Sequence, residues 1–262
     1  GPLGQPERAV RALERTLAIQ PDNIEVAREL VPIYREQRNW ARLLGTYEVL
    51  LGAASDDDER LSLVESLRQV AHDKLASPTL TLQWAAEAYR LRPTDATLRS
   101  GLEAAAERAD GWDELSRIFE QRIADAAVAD DERLVLLDKL AVIARDKLSK
   151  PDDAQRYYRR IIALDPHDTA AIGALESIYT ATHRWDDLAE VYRRRLEVEP
   201  AGEGRLPTLR QLARLQEEQL GDLDAAVSTY RDILAIAAQD AAALESLARI
   251  HRNRGQWSSL AE

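Results

Sequence analysis

Residues 166–195 read PHDTAAIGALESIYTATHRWDDLAEVYRRR, and the spacing of their apolar side chains decides the fold. Ile172, Leu175 and Tyr179 recur at i, i+3 and i+7, which places them on one stripe of a helix. The polar triplet Thr182-His183-Arg184 interrupts the pattern as a short turn. A second stripe follows in Trp185, Leu188, Tyr192 and Leu196, and Pro200 stands where that helix should stop. Asp168, ahead of the first stripe, can accept from the free N–H groups that open a helix. The stretch therefore predicts two amphipathic helices joined by a tight turn.

The same pattern recurs outward from this stretch. Tryptophans fall at 40, 112, 185 and 257, so the period is near-constant at 72, 73 and 72. Pro21, Pro93, Pro166 and Ala238 precede them at one fixed offset, and Asn23, Asp95, Asp168 and Asp240 each follow two places later. A second unit alternates with the first: ERLSLVESLRQVAHDKL, ERLVLLDKLAVIARDKL and GRLPTLRQLARLQEEQL. The long period is thus a short module, 34 long, followed by a longer one of 38 or 39. Residues 5–20 match only the second helix of a long module. Short modules are expected at 21–55, 94–127 and 167–200, long ones at 56–93, 128–166 and 201–238, and a truncated short one at 239–262. Residues 1–4, GPLG, read as the scar of a cleaved purification tag. The remainder reads as an internal piece of a longer array, and its Ala-, Leu- and Arg-rich composition suggests a bacterial gene.

Composition narrows the function classes. The chain has 262 residues, 45% hydrophobic and 31% charged, enough to bury a core. Its net charge of −11 argues against nucleic-acid binding, which needs a basic face to displace counterions. With no Cys, a disulfide framework and a thiolate metal site are both excluded. There is no apolar run of membrane-spanning length, so no direct membrane insertion is expected. A cytoplasmic location is the expectation, with the periplasm left open because the natural N-terminus lies upstream.

Few residues suggest chemistry. His72, His167, His183 and His251 sit in separate modules without a metal-binding spacing and read as surface or turn residues. Asp56-Asp57-Asp58-Glu59 lacks the glycine and alternating ligands of a calcium loop, and Asp130-Asp131-Glu132 repeats it one full period on. Acidic residues there favour a helix start. Gly202-Glu203-Gly204 follows no strand and is no dinucleotide loop. No catalytic residue, metal site or cofactor is therefore expected in this segment. The repeated tryptophans read as core residues, while Trp84, outside their series, is either core or a surface anchor.

The modules resemble tetratricopeptide repeats. The family's large-residue, aromatic and proline positions fall on Ile172, Leu175, Tyr179, Leu188, Tyr192 and Pro200. They also fall on Leu30, Tyr34, Leu43 and Tyr47, and on Leu102, Ala106, Leu115 and Phe119. The long modules match more loosely, with about one extra residue in the turn between helices. The resemblance implies an all-α solenoid of stacked antiparallel helix pairs in a right-handed superhelix, with the first helices lining a concave groove. Carried over by position, the groove residues are Arg28, Arg35, Arg108, Arg145, Ser177, Arg210, Arg214, Arg249 and Arg252. Glu25, Glu65, Asp73, Asp138, Asp146 and Glu217 share the lining. Gly101 and Gly173, inside first helices, mark either close helix packing or room for a ligand chain. The implied function is a non-catalytic scaffold that binds a protein or peptide, with the arginines favouring an acidic one. The alternatives are a structural spacer that self-associates through uncapped ends, or the recruiting arm of an enzyme whose catalytic domain lies elsewhere.

Overall fold

A computed structural model of the chain describes residues 4–253, with side chains from residue 8 onward. Fourteen α-helices and no strand occur among the described residues. Trp257 and the end of the truncated module lie outside them, as do the first three residues of the expected scar.

The helices form two compact units, residues 1–125 and residues 126 onward. The first holds α1 (Gly4–Ile19), α2 (Ile24–Glu36), α3 (Trp40–Ala53), α4 (Asp57–Asp73), α5 (Pro78–Leu91), α6 (Ala96–Ala109) and α7 (Trp112–Ala124). The second holds α8 (Asp130–Val142), α9 (Pro151–Leu164), α10 (Thr169–Ala181), α11 (Trp185–Val198), α12 (Leu206–Leu215), α13 (Leu223–Ile236) and α14 (Ala241–Asn253). Within each unit every helix packs on the next in chain order, so the pairs stack. Stacking is required because each helix has one apolar stripe that only a neighbour can cover.

The starts of the helices follow the sequence closely. Asn23, Asp56, Asp95, Asp168 and Asp240 each accept a hydrogen bond from a backbone N–H two or three residues on. Such a cap stabilises a helix by about 1 kcal/mol. Asp130, Asp131 and Glu132 occupy the first turn of α8, where their charge meets the positive end of the helix dipole. Helix α2 continues through Pro32, which has no N–H to donate. Burial of Ala27, Leu30 and Tyr34 on one face of α2 holds it together against that loss.

Every turn inside a module among the described residues carries one residue in the left-handed region. In the short modules these are Arg38, Asp110 and His183, at φ 54°, 50° and 54°. The residue directly after each closes the turn back across five residues. Asn39 N–H donates to Tyr34 O, Gly111 N–H to Ala106 O and Arg184 N–H to Tyr179 O, at 2.9, 2.8 and 2.9 Å. In the long modules the left-handed residues are Ala76, Ser149 and Gly221, at 46°, 53° and 65°. There the closure spans six residues: Ser77 to Ala71, Lys150 to Ala144 and Asp222 to Gln216, at 3.0, 2.7 and 2.9 Å. The extra residue is taken up by widening the end of the first helix. After α8 and α12 this widening is a full π-helical turn, Ile143–Lys147 and Gln216–Leu220.

The core is built from the positions that follow each tryptophan. Leu43 and Tyr47, Leu115 and Phe119, and Leu188 and Tyr192 are all buried. Phe119 meets Tyr89 edge to face at 5.9 Å between centroids, a geometry that adds about 1 kcal/mol to area burial. Trp40, Trp112 and Trp185 themselves are only half-buried, which corrects the reading of them as core. As first residues of α3, α7 and α11 they sit at the rim of the stack. Trp84 is the core tryptophan, 7% exposed in the heart of the first unit. His251 is likewise buried, at the position that Tyr34 and Tyr179 hold in their modules, and is no surface histidine.

Candidate partner-binding site

Three depressions in the first unit run together. One lies between α2, α3 and α4, lined by Arg35, Trp40, Leu43, Tyr47, Ser66, Gln69, Val70 and Lys74. The next lies along α4 and shares Ser66 and Gln69 with it, adding Glu65, Arg68, His72 and Asp73. The third shares His72 and reaches Thr81, Ala105 and Arg108, on α5 and α6. They form one furrow that crosses the first helices of three successive modules.

The helix ends place the furrow's cations. Arg35 is in the last turn of α2, Lys74 follows the last residue of α4, and Arg108 is in the last turn of α6. Each is attracted to the negative end of its helix dipole. Arg35 donates to the Tyr47 hydroxyl at 2.6 Å, and the Lys74 ammonium lies 5.6 Å from the Trp40 ring centroid. Arg108 donates to His72 Nε2. A guanidinium only donates, so the imidazole proton sits on Nδ1, which donates to Asp73 at 2.6 Å. That bond, ahead of any other influence, holds the Asp73 carboxyl below the usual carboxylate range. Arg68 and Glu65 pair with each other at 2.7 Å.

Of the residues expected in the groove, the furrow brings together Arg35, Glu65, Asp73 and Arg108. Arg28 stands apart, paired with Glu59 at 3.5 Å. In the second unit, Arg145 is held by Asp146 at 2.7 Å and donates to the Tyr158 hydroxyl at 3.2 Å. Ser177 donates to the Gly173 carbonyl of its own helix. Arg210 pairs with Asp240 and Arg249 with Glu217, both at 2.6 Å. Arg214 and Arg252 are exposed. Gly101 and Gly173 face open space, so close helix packing does not account for them. A separate cleft in the second unit, of about 280 Å³, is lined by Arg159, Asp187, Glu190 and Arg194, which neutralise one another as two ion pairs.

Sequence reasoning missed Lys74, Trp40, Tyr47 and Gln69 as site residues. The available signal was the period: Trp40 and Lys74 are separated by the length of one short module, and so face each other across a helix pair. Among the described residues no three His, Asp or Glu side chains gather in a way that would hold a metal ion. No described helix is long and apolar enough to cross a membrane.

Fold and furrow together define a helical-repeat protein built of stacked helix pairs. The tetratricopeptide repeat model matches residues 30–61 and 171–206, within and just beyond the first and third short modules. Those two stretches match the tetratricopeptide repeat, and the same apolar and capping pattern recurs in the other modules of the chain. No curated protein matches it in sequence. Solved structures similar to it include MamA, at 18% identity over 60% of this chain and 87% of that one, with a TM-score of 0.36. YrrB, described as a TPR protein with an unusual peptide-binding site, is 17% identical over 73% and 91%, with a TM-score of 0.34. PilF of Pseudomonas aeruginosa is 14% identical over 86% and 97%, with a TM-score of 0.36.

Proposed function

We propose that the chain is a non-catalytic interaction scaffold that binds a partner polypeptide along its first helices, the surface that is concave in this repeat family. The observation that carries this reading is the unbroken furrow over α2, α4 and α6. Its lining mixes apolar side chains with hydrogen-bonding ones, which suits an extended chain whose backbone and side chains both need partners. Arg35 and Arg108 belong to this contact surface, and Arg214 and Arg252 are candidates for a second stretch of contact in the other unit. The test is selection of binders from a random dodecapeptide display library, followed by photo-crosslinking of a selected peptide and mapping of the modified residues. Crosslinks on α2, α4 and α6 are expected. Failure to select any binder, or crosslinks confined to residues outside the furrow lining, would overturn the proposal.

A further inference from the structure

The end of the furrow between α2, α3 and α4 encloses about 410 Å³. Its walls include Leu43, Val70 and the rings of Trp40 and Tyr47, and its cations are Arg35 and Lys74. Both cations rest on neutral groups, the Tyr47 hydroxyl and the Trp40 ring, and neither forms an ion pair among the described residues. Asp73, next to Lys74 in sequence, is taken up by His72. Two cations without carboxylate partners are notable in a chain with 46 acidic and 35 basic residues, whose other arginines mostly do have them.

The repeat supplies an internal control. Trp185, Leu188 and Tyr192 stand two full periods after Trp40, Leu43 and Tyr47 and reproduce the same scaffold in the second unit. Arg35 is replaced there by Thr180, and Val31 by Glu176. The Tyr192 hydroxyl, raised in pKa first by burial, hydrogen-bonds to Glu176 instead of to an arginine. Scaffold side chains are thus kept between these two copies, while the cation at the rim is lost and a carboxylate appears one turn earlier on the same helix. Stability of the fold alone gives no reason for that difference in charge, whereas selection of a ligand by charge does.

Resting on the scaffold reading above, we infer that this cleft binds an acidic side chain and an adjacent apolar side chain from an extended segment of another protein. The carboxylate pairs with Arg35, whose planar fork suits it, and with the Lys74 ammonium. The apolar side chain packs on Trp40, Leu43 and Val70. A second copy of this chain is a poor occupant: its acidic runs at Asp56–Glu59 and Asp130–Glu132 are locked as helix starts and cannot enter as extended chain.

The experiment uses peptides selected from the same display library on the whole chain. The expected consensus has Asp or Glu within two positions of a Leu, Ile or aromatic residue. Arg35→Glu with Lys74→Glu, both at exposed positions, should weaken binding about tenfold or more with unchanged circular dichroism. Gln69→Arg, which fills the cleft while keeping its positive charge, should weaken binding as well. Binding should also change the emission of Trp40, read as the difference between wild type and Trp40→Phe. Selected peptides that lack acidic residues, or bind the double variant as tightly, overturn this inference and leave the scaffold reading standing. Selection of no peptide overturns both, and concentration-dependent dimerisation abolished by the double variant replaces the proposed occupant with a second copy.

Discussion

At the scale of single residues, the arginines divide into two kinds that composition could not separate. The Glu217 and Asp240 side chains are 10% and 7% exposed, whereas their partners Arg249 and Arg210 are 57% and 43% exposed. The carboxylates are the buried members, and the arginines are present to satisfy them. Glu217 also accepts from the Tyr230 hydroxyl at 2.9 Å, and Asp240 caps α14. Arg249→Ala should therefore destabilise the protein by about 1–2 kcal/mol, the cost of leaving a buried acceptor underpaired. Arg214→Ala should change stability by no more than about 0.5 kcal/mol. Urea denaturation midpoints of the two variants check this; equal midpoints would contradict the division. Family position alone placed all these arginines in a groove. It could not show that their partners lie about one module away in sequence, as with Arg249 and Glu217, because no local pattern joins residues so far apart.

At the scale of elements, the helices were legible and the turns were only half legible. Apolar stripes at helical spacing and a capping Asn or Asp fix where α2, α6 and α10 begin. The extra residue of the long modules was visible as a count, but its accommodation as a wider six-residue closure was not, since that depends on backbone hydrogen bonds. Nor did side-chain type mark the left-handed positions, which hold Arg, Ala, Asp, Ser, His and Gly. A non-glycine residue there costs about 1–2 kcal/mol, offset in part by the greater freedom glycine loses on folding. Ser149→Gly should accordingly raise the unfolding midpoint, by about 0.5 kcal/mol, and Gly221→Ala should lower it by about 1 kcal/mol. Matched denaturation curves of the two variants test the pair. Movement of both in the same direction would show that strain at the turn is not the controlling factor.

At the scale of the whole molecule, charge sets the limits of stability. Asp240 is held low first by the Ala243 N–H and then by Arg210, Asp95 by the Thr97 and Leu98 N–H groups, Asp146 by Arg145 and Glu114 by Arg117. A carboxylate whose folded pKa is depressed contributes stability above its unfolded value, and that contribution disappears as pH falls through the folded value. Tyr34, Tyr158, Tyr179, Tyr192 and Tyr230 are shifted upward, first of all by burial. Their contribution is complete below the unfolded phenol value and is lost as pH rises through the folded one. Tm should therefore be level across neutral pH, fall below about pH 4 and fall again above about pH 10. Calorimetric scans across that range check it, and a Tm that keeps rising below pH 4 would contradict the assignment. The two kinds of turn carry a further consequence, for the gene. Because five- and six-residue closures alternate along the chain, loss or duplication of one full period restores every helix to a neighbour of the kind it had before. Loss of a short module alone brings two wide turns together, so the double module, and not the single repeat, is the unit whose loss or duplication preserves the alternation.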